Sequence, residues 1–122
     1  ADLHDCQCDL PWLIDAEALG ARCQAAVRGV GLQAVGQLFH RFPDTPDGPG
    51  GVTATVLLAE SHLCVHTWPE RRAVTLDVYV CNFGGDHSAK AHQLLDTLVA
   101  LFAPRESTRH ALHRGDVPAH AG

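Results

Sequence analysis

Two spacings of apolar residues run through the chain. Between Asp15 and Val30, Leu19, Cys23, Ala26, Val27 and Val30 fall three or four residues apart, the repeat of one helix face. Asp15 offers a side-chain acceptor to the first unpaired N–H groups of that helix, and Gly31 is a natural stop. Ser88 is placed to cap a second helix running to about Phe102, with Ala91, Leu94, Leu95, Leu98 and Phe102 along one face. The remaining apolar stretches read as strands: residues 1–9, Leu32–Phe42, the β-branched Val52–Leu58, 62–66, 73–81 and 106–113. Trp68–Arg72 reads as a turn between two of them. Residues 43–51 (PDTPDGPGG) and the glycine-containing Asn82–Asp86 read as loops, and the tail as frayed. The order β-α-β-β-β-β-α-β predicts an α/β (α+β) two-layer sandwich, with a largely antiparallel sheet and two helices packed on one face. A single domain spanning 1–122 is expected.

Composition narrows the function. With 46% apolar residues the chain is that of an ordinary globular protein. It has no apolar run of the ~18 residues that suggest a membrane span, so no membrane partner is expected. A net charge of −5 argues against nucleic acid, which needs a basic stripe, and suits a cationic small molecule. Five cysteines, with no signal segment and no regular framework, predict reduced thiols and a cytoplasmic location. The chain opens directly into strand-like sequence at Ala1, from which we expect that some preceding residues are missing or trimmed.

The chemistry concentrates in residues 59–70, AESHLCVHTWPE, and in Cys81. Strand alternation puts Ser61, Leu63 and Val65 on one face and His62, Cys64 and His66 on the other. A regular strand therefore keeps Ser61 and His66 apart, and a bend near Ser61 would be needed to join them. Taken singly, Ser61 is a strand-end serine, His66 a core histidine, Cys81 a small hydrophobe, and Phe42 and Trp68 core aromatics. Glu70 sits in a charged turn. Cys6-x-Cys8 and the pair His62 and His66 lack metal-ligand spacing, so no metal is expected. His87, His92, His110, His113 and His120 read as surface residues.

As a block, these residues resemble the prokaryotic pyruvoyl-dependent S-adenosylmethionine decarboxylases. The signature Glu-Ser-His followed by His-Thr-Trp-Pro-Glu is present as Glu60-Ser61-His62 and His66-Thr67-Trp68-Pro69-Glu70. Cys81 follows Asp77-Val78, and Phe-His-Arg-Phe stands at residues 39–42. The resemblance covers residue 1 to about 115. It implies self-cleavage between Glu60 and Ser61 into 1–60 and 61–122, with a pyruvoyl group made from Ser61 as the cofactor. The ketone would take the substrate amine as a Schiff base and act as electron sink. His66 is then the proton handler of processing, Thr53 a hydrogen-bond donor to the developing oxyanion, and Cys81 the proton donor of decarboxylation. Phe42 and Trp68 would flank the adenine of S-adenosylmethionine, and Glu70 would bind its ribose. The product would feed spermidine biosynthesis, and the protein would be a homodimer of processed protomers.

Two positions depart from the family pattern. Thr53 replaces the usual serine, keeping the hydroxyl, and the 43–51 loop is longer. That loop carries Asp44 and Asp47, which leaves ornithine or arginine as an alternative substrate. An uncleaved regulatory paralogue and a His/Cys metal-binding module are the readings from other classes.

Overall fold

The computed structural model describes residues 1–81 and 87–112. Its elements are β1 (Asp2–Cys6), α1 (Pro11–Ile14), α2 (Ala16–Gly29), β2 (Ala34–Arg41), β3 (Val52–Leu58) and β4 (His62–Trp68). A 3-10 turn (Pro69–Arg71), β5 (Ala73–Tyr79), α3 (Ser88–Phe102) and β6 (Pro104–Thr108) follow. Alternation in the strands sets the layers. Val52, Ala54, Val56 and Leu58 of β3, Leu63 and Val65 of β4, and Val74 and Leu76 of β5 are buried. They meet Leu19, Cys23, Ala26 and Val27 of α2 and Leu94, Leu98 and Phe102 of α3 in one core. α2 lies over β2 and β3, and α3 over β5, on the same face. The six strands run in the order β2-β3-β4-β5-β1-β6, and every neighbouring pair is antiparallel. This is the α+β sandwich that the apolar pattern predicts. β1, from the start of the chain, is inserted between β5 and β6 from its second half.

Among the described residues, no helix covers the other face of the sheet. Thr53, Thr55 and Leu57 of β3, His62, Cys64, His66 and Trp68 of β4, and Thr75, Asp77 and Tyr79 of β5 point there. Leu38 of β2 is 72% exposed on it and Leu57 of β3 50%, so large apolar side chains lie open to water on the outer two strands at one side of the sheet.

Boundaries differ from the sequence reading where short irregular pieces intervene. α1 has only four residues, begun by Pro11, too few to show a period. β1 ends at Cys6 because Asp5 has φ 51°, a left-handed kink in the strand. Trp68 belongs to β4 rather than to the turn after it. The last strand is Pro104–Thr108 instead of 106–113, since Ala103 (φ 47°) ends α3 and turns the chain at once. Ser88 is the first residue of α3, with His87 in the capping position. Asp15 does cap α2, accepting from Ala18 N–H at 3.0 Å. The expected Asn82–Asp86 loop, His113, His120 and the end of the tail lie outside the described residues.

Thr67 ties the layers together. Its buried hydroxyl donates to Leu13 C=O of α1 at 2.7 Å and accepts from Val52 N–H of β3 at 2.8 Å. Thr67→Val keeps the shape and strands both main-chain groups, a penalty of about 1–3 kcal/mol in urea unfolding. An unchanged denaturation midpoint would show that the clamp contributes nothing.

Candidate active site

The residues of the chemical block fall into three places along the helix-free face and one end of β4. The first is the β3–β4 hairpin. Leu57 pairs with His62, and Leu58 N–H donates to Ser61 C=O at 2.9 Å, so Ala59 and Glu60 form the exposed tip. The Glu60–Ser61 peptide bond thus lies at the tip of a hairpin. Cys81, just beyond β5, donates its main-chain N–H to Ser61 Oγ at 3.1 Å. The contact that unites Ser61 with Cys81 is a backbone one. The resemblance named Cys81 for its thiol, and no sequence pattern marks an N–H.

The second place is midway along β4. Thr53 and His66 are directly opposed across β3 and β4, with Thr53 Oγ1 and His66 Nδ1 2.9 Å apart. The threonine hydroxyl is therefore the partner of His66, which fixes the ring and leaves Nε2 as its other reactive nitrogen. No bend joins this pair to Ser61. β4 is regular from His62 to Trp68, and the five residue steps from Ser61 to His66 span roughly 17 Å at strand rise.

The third place is the far end of the sheet. Phe42 N–H donates to Gly51 C=O at 2.9 Å, which holds Phe42 beside the start of β3. Trp68 ends β4 on the other side of that strand. The main chains of Phe42 and Trp68 stand about two strand spacings, ~10 Å, apart, on either side of β3. Phe42 also takes an edge-to-face contact from His40 at 4.8 Å, and Trp68 lies 6.2 Å from His66. Gly51 has to be glycine, since a Cβ there would lie 2.1 Å from Thr67 C=O. Glu70 is exposed in the turn after Trp68. His62 packs its ring against Tyr79 at 5.5 Å, beside the hairpin.

The 43–51 loop is more ordered than its composition suggests. Thr45 and Gly48 exchange main-chain hydrogen bonds at 2.9 and 3.0 Å. Asp44 accepts from Gly50 N–H at 3.1 Å and pairs with Arg41 at 2.8 Å. These two contacts, the Gly50 N–H first, hold its carboxyl below the usual carboxylate range. Asp44 is thus engaged in shaping the loop. Among the remaining thiols, burial pushes Cys6 up to about 11 and Cys23 up to about 12, so both are protonated and inert at neutral pH. No group of three or more His, Cys, Asp or Glu among the described residues is arranged to hold a metal ion. No helix among them is long and apolar enough to cross a membrane.

Proteins similar in sequence to this chain include decarboxylase precursors. The chain is 34% identical over 97 residues to an S-adenosylmethionine decarboxylase proenzyme of Persephonella marina, covering 80% of this chain and 66% of that protein. It is 36% identical over 94 residues to the proenzyme of Aquifex aeolicus, covering 77% and 63%. It thus spans slightly under two thirds of the length of these two relatives. The crystal structure of the adenosylmethionine decarboxylase from Aquifex aeolicus superposes with a TM-score of 0.81 at 30% identity, covering 99% of this chain and 91% of that one. Residues 1–115 match the S-adenosylmethionine decarboxylase family, and the chain belongs to that family.

Proposed function

We propose that the protein is a self-processing decarboxylase acting on S-adenosylmethionine in the cytoplasm, as one domain cut into 1–60 and 61–122. The observation that carries the reading is Ser61 Oγ held at an exposed hairpin tip by Cys81 N–H, within a family whose members are named proenzymes. Ser61 Oγ attacks the Glu60 carbonyl carbon; an ester C–O bond forms as the C–N bond breaks. Loss of the Ser61 α-proton then expels the Glu60 carboxylate and leaves a dehydroalanyl end. Addition of water and release of ammonia convert that end to pyruvoyl. The site fits such a group, since position 61 lies where strand pairing gives way to the hairpin tip and has a main-chain donor beside it. The pyruvoyl ketone supplies the electron sink that amino-acid side chains lack.

The rest of the chemistry belongs to the chain. Thr53 orients His66, whose imidazole moves the α-proton. Cys81 gives the product carbon its proton. Phe42 and Trp68 hold the adenine, and their π-faces favour the sulfonium charge. Glu70 accepts from the ribose hydroxyls.

The same geometry supports a homodimer of processed protomers. His66 and Trp68 are too far along β4 to serve the Ser61 of their own chain. A two-fold axis near Cys64, midway between Ser61 and His66, would lay Ser61 of one chain against His66 of the partner subunit. Sheets packed face to face about 10 Å apart would also cover Leu38 and Leu57.

Release of labelled carbon dioxide from S-adenosylmethionine, ornithine and arginine tests the substrate. Only the first should give turnover, because Asp44 is bound up in its loop and not offered to a distal cation. Turnover with ornithine or arginine alone would reject the reading. In the same assay Cys81→Ala should still be cleaved yet decarboxylate at least ~100-fold more slowly, the usual worth of a positioned acid. Wild-type turnover by that variant would remove Cys81 as proton donor.

A further inference from the structure

Among the described residues, three that are not glycine have left-handed backbone: Asp5 (φ 51°), Arg72 (φ 46°) and Ala103 (φ 47°). They lie in different parts of the sequence but meet at one place, the end of β1. Asp5 kinks that strand. Cys6 N–H donates to Arg72 C=O and Gln7 N–H to Ala103 C=O, both at 2.9 Å. The Arg72 guanidinium donates through one nitrogen to Cys6 C=O at 2.9 Å and to Cys8 C=O at 2.8 Å. Arg72 N–H also closes the 3-10 turn by donating to Pro69 C=O at 3.1 Å. Backbone strain persists only where surrounding contacts enforce it, and it gathers at functional sites. Here it gathers under the turn bearing Trp68 and Glu70.

Glycine would adopt the conformation of Arg72 without penalty. The arginine at this position gives up that ease and gains a two-point attachment to β1. Its main chain and side chain together fasten the turn that follows Trp68 to β1, an interior strand paired on both sides. We infer that Arg72 is a positioning residue, which sets Trp68 and Glu70 for the nucleoside end of the substrate by locking their turn onto β1. This rests on the proposed nucleoside substrate. It also separates the turn from the cleavage site, because Ser61 lies at the opposite end of β4, roughly 23 Å away at strand rise.

The test is calorimetric titration of the processed wild-type enzyme and the processed Arg72→Gly variant with methylthioadenosine, a nucleoside thioether without the amino-acid part. Kinetics on S-adenosylmethionine accompany it. Arg72→Gly should be fully cleaved, bind the nucleoside roughly tenfold more weakly and show KM raised to match, with kcat within about twofold. Arg72→Lys retains one donor group and should recover part of the affinity, which a general loss of stability would not do. An unchanged Kd in Arg72→Gly overturns the inference. If that variant does not fold, wild-type affinity in Arg72→Lys overturns it instead. A wild-type enzyme that binds no nucleoside rejects both the substrate reading and the inference, whereas a changed kcat at constant KM rejects the inference alone.

Discussion

Ser61→Ala should remain a single uncut chain, where the unaltered protein gives two fragments ending and beginning at Glu60 and Ser61. The effect is all or none. An N→O shift needs a hydroxyl on the residue that follows the bond, and alanine has none. The local structure is not expected to change much, since Leu58 N–H donates to the main-chain carbonyl of residue 61, which alanine retains. What the variant loses is the acceptor of Cys81 N–H, on a half-buried residue where water can substitute. Without the ketone there is no electron sink, so carbon dioxide release should fall to background. Intact mass before and after prolonged incubation is the measurement. Cleavage of Ser61→Ala at the same bond would end the self-processing account and point to a protease.

The second large effect concerns who supplies His66. Produced alone, His66→Ala should accumulate uncut, because the α-proton of Ser61 has no acceptor. Produced together with Ser61→Ala chains, it should be cut. In the mixed pair one composite site has Ser61 and Cys81 from the first chain and Thr53 and His66 from the second, all intact. At equal expression about half of the pairs are mixed, so a comparable share of His66→Ala chains should be cleaved. A mass tag on one chain tells them apart. If co-production restores nothing, while each chain is folded and paired, the site is not shared across two chains. If His66→Ala cuts itself at the normal rate, His66 has no part in processing.

The sequence made the sheet and helices legible because their apolar positions repeat. Leu63 and Val65, like Leu94 and Leu98, are buried where the periods put them. It also kept Ser61 and His66 apart, and β4, regular from His62 to Trp68, separates them along its length. What stayed hidden has no period. α1 is too short to repeat, and Arg72 adopts a glycine-like conformation with no glycine to announce it. The link between Ser61 and Cys81 runs through a main-chain N–H, which every residue but proline possesses. The pairing of Thr53 with His66 depends on strand register, fixed by the hairpin and not readable from either residue.

β1 belongs to the part of the chain before Glu60, yet it is paired on both sides, with β5 and β6, to the part after it. β3 and β4 flank the cut itself. Once the bond is broken, the two pieces are interleaved through three strand interfaces and cannot part without dismantling the sheet. The intact precursor can form its whole sheet within one chain. The matured protein, once denatured, has to bring two separate peptides together, with one strand entering between two of the other's. Its renaturation becomes second order, competing with aggregation. Cleavage at this bond would therefore make folding a one-time event, after which persistence would depend on how slowly the sheet opens more than on how readily it re-forms.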